Sequence, residues 1–187
     1  IEIGHASPEI TGEPATGSVN QVRDRWAQIN YQLPKPQREA AFEELLHQSE
    51  KIRQATPRDA AALIWEGIVL SSLAGEKGGM GALGLVKRAR ADFEAAIKLD
   101  ASALDGAAYT SLGALYYQVP GWPLGFGDDA AARTMLRKGL AIDPDGIDAN
   151  YGDGARRHHP VGAVAALGWP VGIGGAALPG VSARGAT

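Results

Sequence analysis

A glycine run is the most specific of the features whose residue types and spacing could support chemistry. Gly79, Gly81 and Gly84 match the spacing G-x-G-x-x-G, which cradles the phosphates of a dinucleotide when it follows a strand and opens a helix. In this sequence a helical pattern precedes the run, and the Gly-Lys-Ser/Thr sequence of a P-loop is missing. We therefore interpret the run as a flexible loop between helices and predict that the chain binds no cofactor.

Two pairs of adjacent polar residues are weaker candidates for a reactive site. His158 and His159 would need a loop and further ligands to bind a metal, because adjacent residues do not face one site on a helix. Asp128 and Asp129 could act as paired carboxylates, but a helix N-terminus accounts for both through capping and the helix dipole. The sequence shows no set of residues that could act together as a nucleophile, a base and an orienting group. It therefore predicts no catalytic residues, no metal site and no enzyme activity.

The charge distribution argues against a nucleic-acid partner. The 187 residues carry a net charge of −3, and every acidic residue lies at or before Asp153. Phosphate binding needs clustered Lys and Arg, and we interpret the local cluster of Lys87, Arg88 and Arg90 as the solvated face of a helix. The chain contains no cysteine, which excludes disulfides and thiolate metal sites and leaves the compartment open.

Start and stop signals divide the middle of the chain into six helices, and no segment alternates like a strand. Ser18 and Gln21 form a capping box for the first helix, and the proline pair at 34 and 36 separates it from the second. Helical spacing then predicts an apolar stripe in every helix. Those of the first, second and fifth helices are Val22, Trp26, Ile29 and Leu33; Phe42, Leu45, Leu46, Ser49 and Ile52; and Leu104, Ala108, Tyr109, Leu112, Leu115 and Tyr116.

The remaining boundaries depend on turn residues. Thr56 is predicted to cap a third helix over residues 58–73, and a glycine-rich break at residues 75–81 precedes the fourth. Residues 119–127, rich in Pro and Gly, cannot be helical. Asp128 then caps the sixth helix, and Arg137 and Lys138 are predicted in its last turn, where the helix dipole favours cations.

Composition predicts three regions. Residues 1–17 are a flexible leader, residues 18–153 a helical-repeat domain, and residues 154–187 a Gly/Ala-rich tail that is either disordered or a makeshift cap over the last repeat. The tail's change of composition also fits a replaced terminus, such as a frameshifted end. The uncharged stretch at 160–182 is broken by Pro170 and by glycines, so no membrane span is predicted.

An internal repeat links the third and fourth helices to the fifth and sixth. The second helices match at a constant offset of 43 residues, from Ala89 to Ala132 and from Phe93 to Leu136. The segment Tyr109-x-x-Leu112-Gly113-x-x-Tyr116, followed by Ala132, Leu136 and Pro144, resembles the tetratricopeptide repeat, and Leu63-x-x-Glu66-Gly67-x-x-Leu70, followed by Ala89, Phe93 and Ala101, is a second copy. The resemblance implies an all-α, right-handed solenoid of antiparallel helix hairpins that binds a protein or peptide.

A second resemblance rests on the insert between the last two helices. Tyr116-Tyr117, a Pro-Gly-Trp-Pro loop and Gly127-Asp128 resemble the T-component proteins of tripartite ATP-independent periplasmic transporters. That resemblance implies an alternative function, in which a bacterial envelope accessory protein docks a solute-binding protein or holds an apolar small ligand. It also favours a periplasmic location over a cytoplasmic one.

The tetratricopeptide resemblance implies a binding groove lined by the first helix of each pair. Candidate contacts are apolar, aromatic or hydroxylic, so an apolar or aromatic-anchored partner segment is expected. The same aromatic residues could instead pack between helices, and the oligomeric state stays open. The candidates are Ile64, Trp65, Ile68, Thr110, Ser111, Ala114 and Tyr117, with Trp122 as either a loop anchor or a lip of the groove.

Overall fold

The computed structural model of the chain describes residues 18–144, which form six α-helices. No strand occurs in this range, so the prediction of an all-helical fold is confirmed. The predicted leader, the tail and His158–His159 lie outside the described residues, and the predicted repeat domain is described as far as Pro144. The helices are α1 (Val19–Gln32), α2 (Lys35–Ala55), α3 (Ala60–Lys77), α4 (Gly79–Leu99), α5 (Ala103–Gln118) and α6 (Asp129–Ile142).

Two of the predicted helix starts are confirmed at the level of individual hydrogen bonds. The Ser18 backbone N–H donates to Gln21 Oε1 at 2.8 Å, and the Gln21 N–H donates to Ser18 Oγ at 3.4 Å. Asp128 Oδ1 accepts from the first free amides of α6, those of Ala130 and Ala131. The buried stripe of α2 also consists of the five predicted residues.

The predicted start of α3 is wrong, because Thr56 belongs to the end of α2. The Thr56 N–H and Oγ1 both donate to the Ile52 carbonyl. Asp59 caps α3 instead, and its Oδ1 accepts from the amides of Ala61 and Ala62. A carboxylate is the stronger acceptor and also interacts favourably with the positive end of the helix dipole.

The predicted glycine-rich loop is also wrong. Only Gly78 separates α3 from α4, and its φ of 63° suits a residue without a Cβ. Gly79, Gly81 and Gly84 therefore lie in the first turns of α4. Each glycine weakens a helix by about 1 kcal/mol, and the buried packing of Ala82 and residues further along α4 outweighs that cost.

Two smaller expectations fail near the ends of α5 and α6. Leu104 was expected in the buried stripe, but it is exposed, and its φ of 50° begins a left-handed stretch that ends at Gly106. Regular helix starts only after this stretch, so the helical spacing does not apply to Leu104. α6 continues to Ile142, which leaves Arg137 and Lys138 before the last turn rather than in it.

The helices pack in chain order, and close approach at two glycines recurs. Each helix contacts the next, and α3 also contacts α1 and α5. A Cβ added at Gly67 of α3 would lie 2.6 Å from Phe93 Cε1 of α4, and one at Gly113 of α5 would lie 2.8 Å from Leu136 Cγ of α6. Both hairpins therefore bring a glycine of the first helix against a large side chain of the second.

Candidate functional site

Five of the eight candidate groove residues are buried between the helices. Their relative exposures run from 0% at Ile64 to 7% at Thr110, because α3 packs against α1, α2, α4 and α5, and α5 packs against α3, α4 and α6. In this structure these five side chains present no surface to a partner. They are Ile64, Ile68, Thr110, Ser111 and Ala114.

Trp65 and Tyr117 are half-buried. The Trp65 ring packs edge-on against Trp26 of α1, with centroids 6.0 Å apart, and Trp26 meets Tyr31 in the same way at 6.2 Å. The Trp26 Nε1 also donates to Ser72 Oγ of α3 at 2.8 Å. Trp65 thus takes part in the packing of α3 on α1, which is the alternative that the sequence left open.

The second half-buried residue, Tyr117, lies at the end of α5 near the start of α6. Burial raises the pKa of its hydroxyl above the ordinary value, and the Asp129 carboxylate raises it further. Its phenol therefore stays protonated in neutral solution and presents a neutral polar group.

Trp122 is the most exposed of the candidates, at 90%, and Leu124 beside it is 73% exposed. Both lie in residues 119–127, called the insert loop below, which has backbone hydrogen bonds of its own. The Gly127 N–H donates to the Pro120 carbonyl at 3.0 Å, and the Leu124 and Gly125 amides donate to the Gly121 carbonyl at 3.2 and 3.1 Å. The tip of the insert loop is thus ordered and apolar, and the Trp122–Pro123 peptide is cis.

The base of the insert loop is fixed to α4 and α5 by aromatic contacts. Phe126 packs edge-on against Tyr116, with centroids 5.8 Å apart. Arg90 Cζ of α4 lies 5.2 Å from the Tyr116 ring centroid and 5.1 Å from that of Phe126, and Arg90 Nε donates to Glu94 Oε1 at 2.7 Å. Such cation–π contacts are worth about 0.5–2 kcal/mol each, depending on exposure.

Two glycines explain how the insert loop closes so tightly. A Cβ at Gly125 would lie 2.5 Å from the Pro120 carbonyl oxygen, and one at Gly127 would overlap the Val119 carbonyl oxygen. Any other residue would force the backbone apart at both points. The chain therefore holds Trp122 outward on a loop whose conformation is built in.

Sequence reasoning missed a cluster of charged side chains between α2, α3 and α4. Glu66 is 2% exposed, and its partners are Arg53 and Arg88. The available signal was Glu66 itself, which stands where the other repeat copy has Leu112. Interpreting Arg88 and Arg90 as a solvated face overlooked that Arg88 contacts Glu66 and that Arg90 contacts two aromatic rings.

Two features are absent from the described part of the chain: a metal-binding cluster and a membrane-spanning helix. Among residues 18–144 there is no group of three or more His, Cys, Asp or Glu side chains that could hold a metal ion. No helix within this range is both long enough and apolar enough to cross a membrane. The sequence matches no protein-family model and no curated protein.

Proposed function

We propose that this chain is a non-catalytic, tetratricopeptide-like repeat module that binds a partner protein, with Trp122 at the centre of the contact. The observation that carries the proposal is the exposure of Trp122 on an ordered loop. Tryptophan is among the residues most enriched in binding hot spots, and a rigid loop loses little conformational entropy when it binds.

The two hairpins of the described chain support the repeat part of the proposal. Gly67 meets Phe93 in one hairpin, and Gly113 meets Leu136 in the other. The contacts of α3 with both α1 and α5 are those that stacked hairpins make through their first helices. These contacts favour a solenoid of antiparallel hairpins, in which the insert loop is an elaboration of the last hairpin.

The exposed tip defines what kind of partner surface would fit. Residues 119–127 carry no charged side chain, and Trp122 and Leu124 form a small apolar projection. A partner would need a concave apolar socket, in which both side chains lose their contact with water. The interaction is therefore a projection entering a partner, while Arg90 of α4 and Tyr116 of α5 hold the base of the loop.

Quantitative affinity capture from cells tests this proposal. The wild-type chain, Trp122→Ala and Met80→Ala are used as baits, since Met80 is an equally exposed apolar residue at 91% on α4. We expect Trp122→Ala to lower recovery of the partner at least tenfold with an unchanged melting temperature, and Met80→Ala to change neither. Binding of the purified partner is then measured directly, and equal affinity for wild type and Trp122→Ala would contradict the proposal.

The insert loop also favours a second candidate function. It carries the resemblance to the transporter T-components, so the same tip could dock a solute-binding protein in the bacterial envelope. This alternative includes an apolar small ligand, which the adaptor function does not require. Solvent extraction of the purified chain followed by mass spectrometry separates the two, because a stoichiometric lipid-like compound favours the transport accessory.

A further inference from the structure

Five charged side chains meet where α2, α3 and α4 pack together. Arg53 Nε of α2 donates to Glu66 Oε2 of α3 at 2.5 Å. Arg88 Nη2 of α4 lies 2.5 Å from Glu50 Oε1 of α2 and 3.5 Å from Glu66 Oε1. The fifth member is Asp92, one turn beyond Arg88 on α4. We call these five residues the charged seam.

Asp92 takes no part in the ion pairs that join the other four members of the charged seam. Its Oδ2 atom is buried and has no hydrogen-bond partner, while Glu50 and Glu66 are each paired with a guanidinium. Three carboxyl groups face two guanidiniums, so full ionisation leaves one negative charge in excess. A buried carboxylate without a compensating partner is costly, and such a group gives up its charge by binding a proton.

The groups acting on Asp92 come from three helices and oppose one another. Together they raise its pKa to about 7: burial is the largest cause, Glu66 and Glu50 raise the pKa further, and Arg53 and Arg88 lower it. His47 of α2 reaches the seam only through Glu50, with Nδ1 3.5 Å from Glu50 Oε2, and is itself largely exposed. α5 also packs against α4, but within the described residues it contributes none of the groups that shift the pKa of Asp92.

We propose that Asp92 is a proton-controlled latch on α4, closed when its carboxyl is protonated and loosened when deprotonation places a second buried carboxylate beside Glu66. Glu66 and Arg53 hold α2 to α3 in either state. The repulsion therefore acts on the helix that carries Asp92, and loosening concentrates in α4. The latch does not depend on the proposed partner or on the repeat family.

The sign of the effect follows from proton linkage. The folded chain holds a proton on Asp92 over a pH range in which the unfolded chain, with an ordinary pKa of 3.8, has already released it. The contribution of Asp92 to stability is therefore fully present below about pH 4 and is lost as pH rises to about 7. Between pH 6 and pH 8 this single site predicts a roughly tenfold loss of protection against opening.

Hydrogen exchange with mass readout on the full chain tests the latch. Wild type, Asp92→Asn and the control Asp24→Asn, an exposed aspartate on α1, are compared at pH 6 and pH 8 after correction for intrinsic exchange rates. We expect peptides of α4 to lose about tenfold protection in wild type and in Asp24→Asn, and much less in Asp92→Asn. His47 is retained in all three chains, so any contribution from it cancels in the comparison. The same loss in Asp92→Asn as in wild type would overturn the proposal.

Carbon-13 NMR titration of the Asp92 carboxyl in the wild-type chain provides a readout that does not depend on a variant folding. A midpoint near neutral pH, with chemical-shift changes spreading to neighbouring α4 residues, supports the latch. A midpoint below about 5 would overturn it, since the carboxyl would then be ionised throughout the physiological range.

Discussion

At Gly67 the space beside the backbone is already filled by the ring of Phe93. The nearest ring atom would lie 2.6 Å from an added Cβ, and Phe93 is itself 1% exposed, so the ring has little room to move. We expect Gly67→Ala to lower the free energy of unfolding by about 1–3 kcal/mol. Urea denaturation measures the change.

Gly84→Ala is the matched control for that prediction. Gly84 is also helical, but a Cβ there would meet nothing within 4 Å. The substitution should raise stability by up to about 1 kcal/mol through helix propensity alone. If both variants changed stability equally, the close contact between Gly67 and Phe93 would not be the reason for the glycine.

At the residue scale, the sequence predicts burial best in a helix that has one solvent-exposed face. α2 has polar residues on one face and apolar residues on the other, so its five buried residues follow from helical spacing alone. Glu66 is the opposite case. It is buried, but a charged residue is a poor match at a repeat position where the other copy has Leu112, so spacing alone does not explain it. Only the positions of Arg53 and Arg88, brought from two other helices, show why a carboxylate belongs there.

At the scale of elements, the insert loop depends on α4 for its position. Removing Arg90 takes away contacts with both Tyr116 and Phe126, so Arg90→Ala should cost about 1 kcal/mol. Lys87→Ala, an exposed substitution on the same helix, should cost close to nothing. Thermal unfolding of both variants measures the difference.

The same substitution also affects the tip. Without the Arg90 contacts the insert loop is less ordered when free, and it loses more conformational entropy when it binds. Arg90→Ala should therefore weaken partner binding several-fold even though Trp122 is intact. Unchanged stability and unchanged binding together would show that the loop holds its shape without α4.

Helix boundaries were predictable where a side chain closes the end, as at Ser18 and Asp128, and less so where glycine is abundant. Glycine weakens a helix without forbidding it, and the sequence alone cannot weigh that cost against burial. The five glycines from 75 to 84 therefore suggested a loop. In the structure only Gly78 interrupts the two helices, and the helices are held by buried residues a turn away on each side, Ala74 of α3 and Ala82 of α4.

At the scale of the whole molecule, α3 explains why the predicted groove residues are inaccessible. α3 is surrounded by four other helices, so nearly every face of it is buried. Repeat spacing identifies which residues lie near one another across successive helices. It does not say how closely the helices approach, and here they leave accessible only Trp65, Tyr117 and Trp122 among the candidates.

The central claim is that Trp122 contacts the partner directly. Photo-crosslinking tests it, with p-benzoylphenylalanine placed at Trp122 in one chain and at Met80 in another, each irradiated in the bound state. We predict a crosslinked product of chain plus partner mass at position 122 and none at position 80. No product at position 122, or equal yields at both positions, would contradict the account.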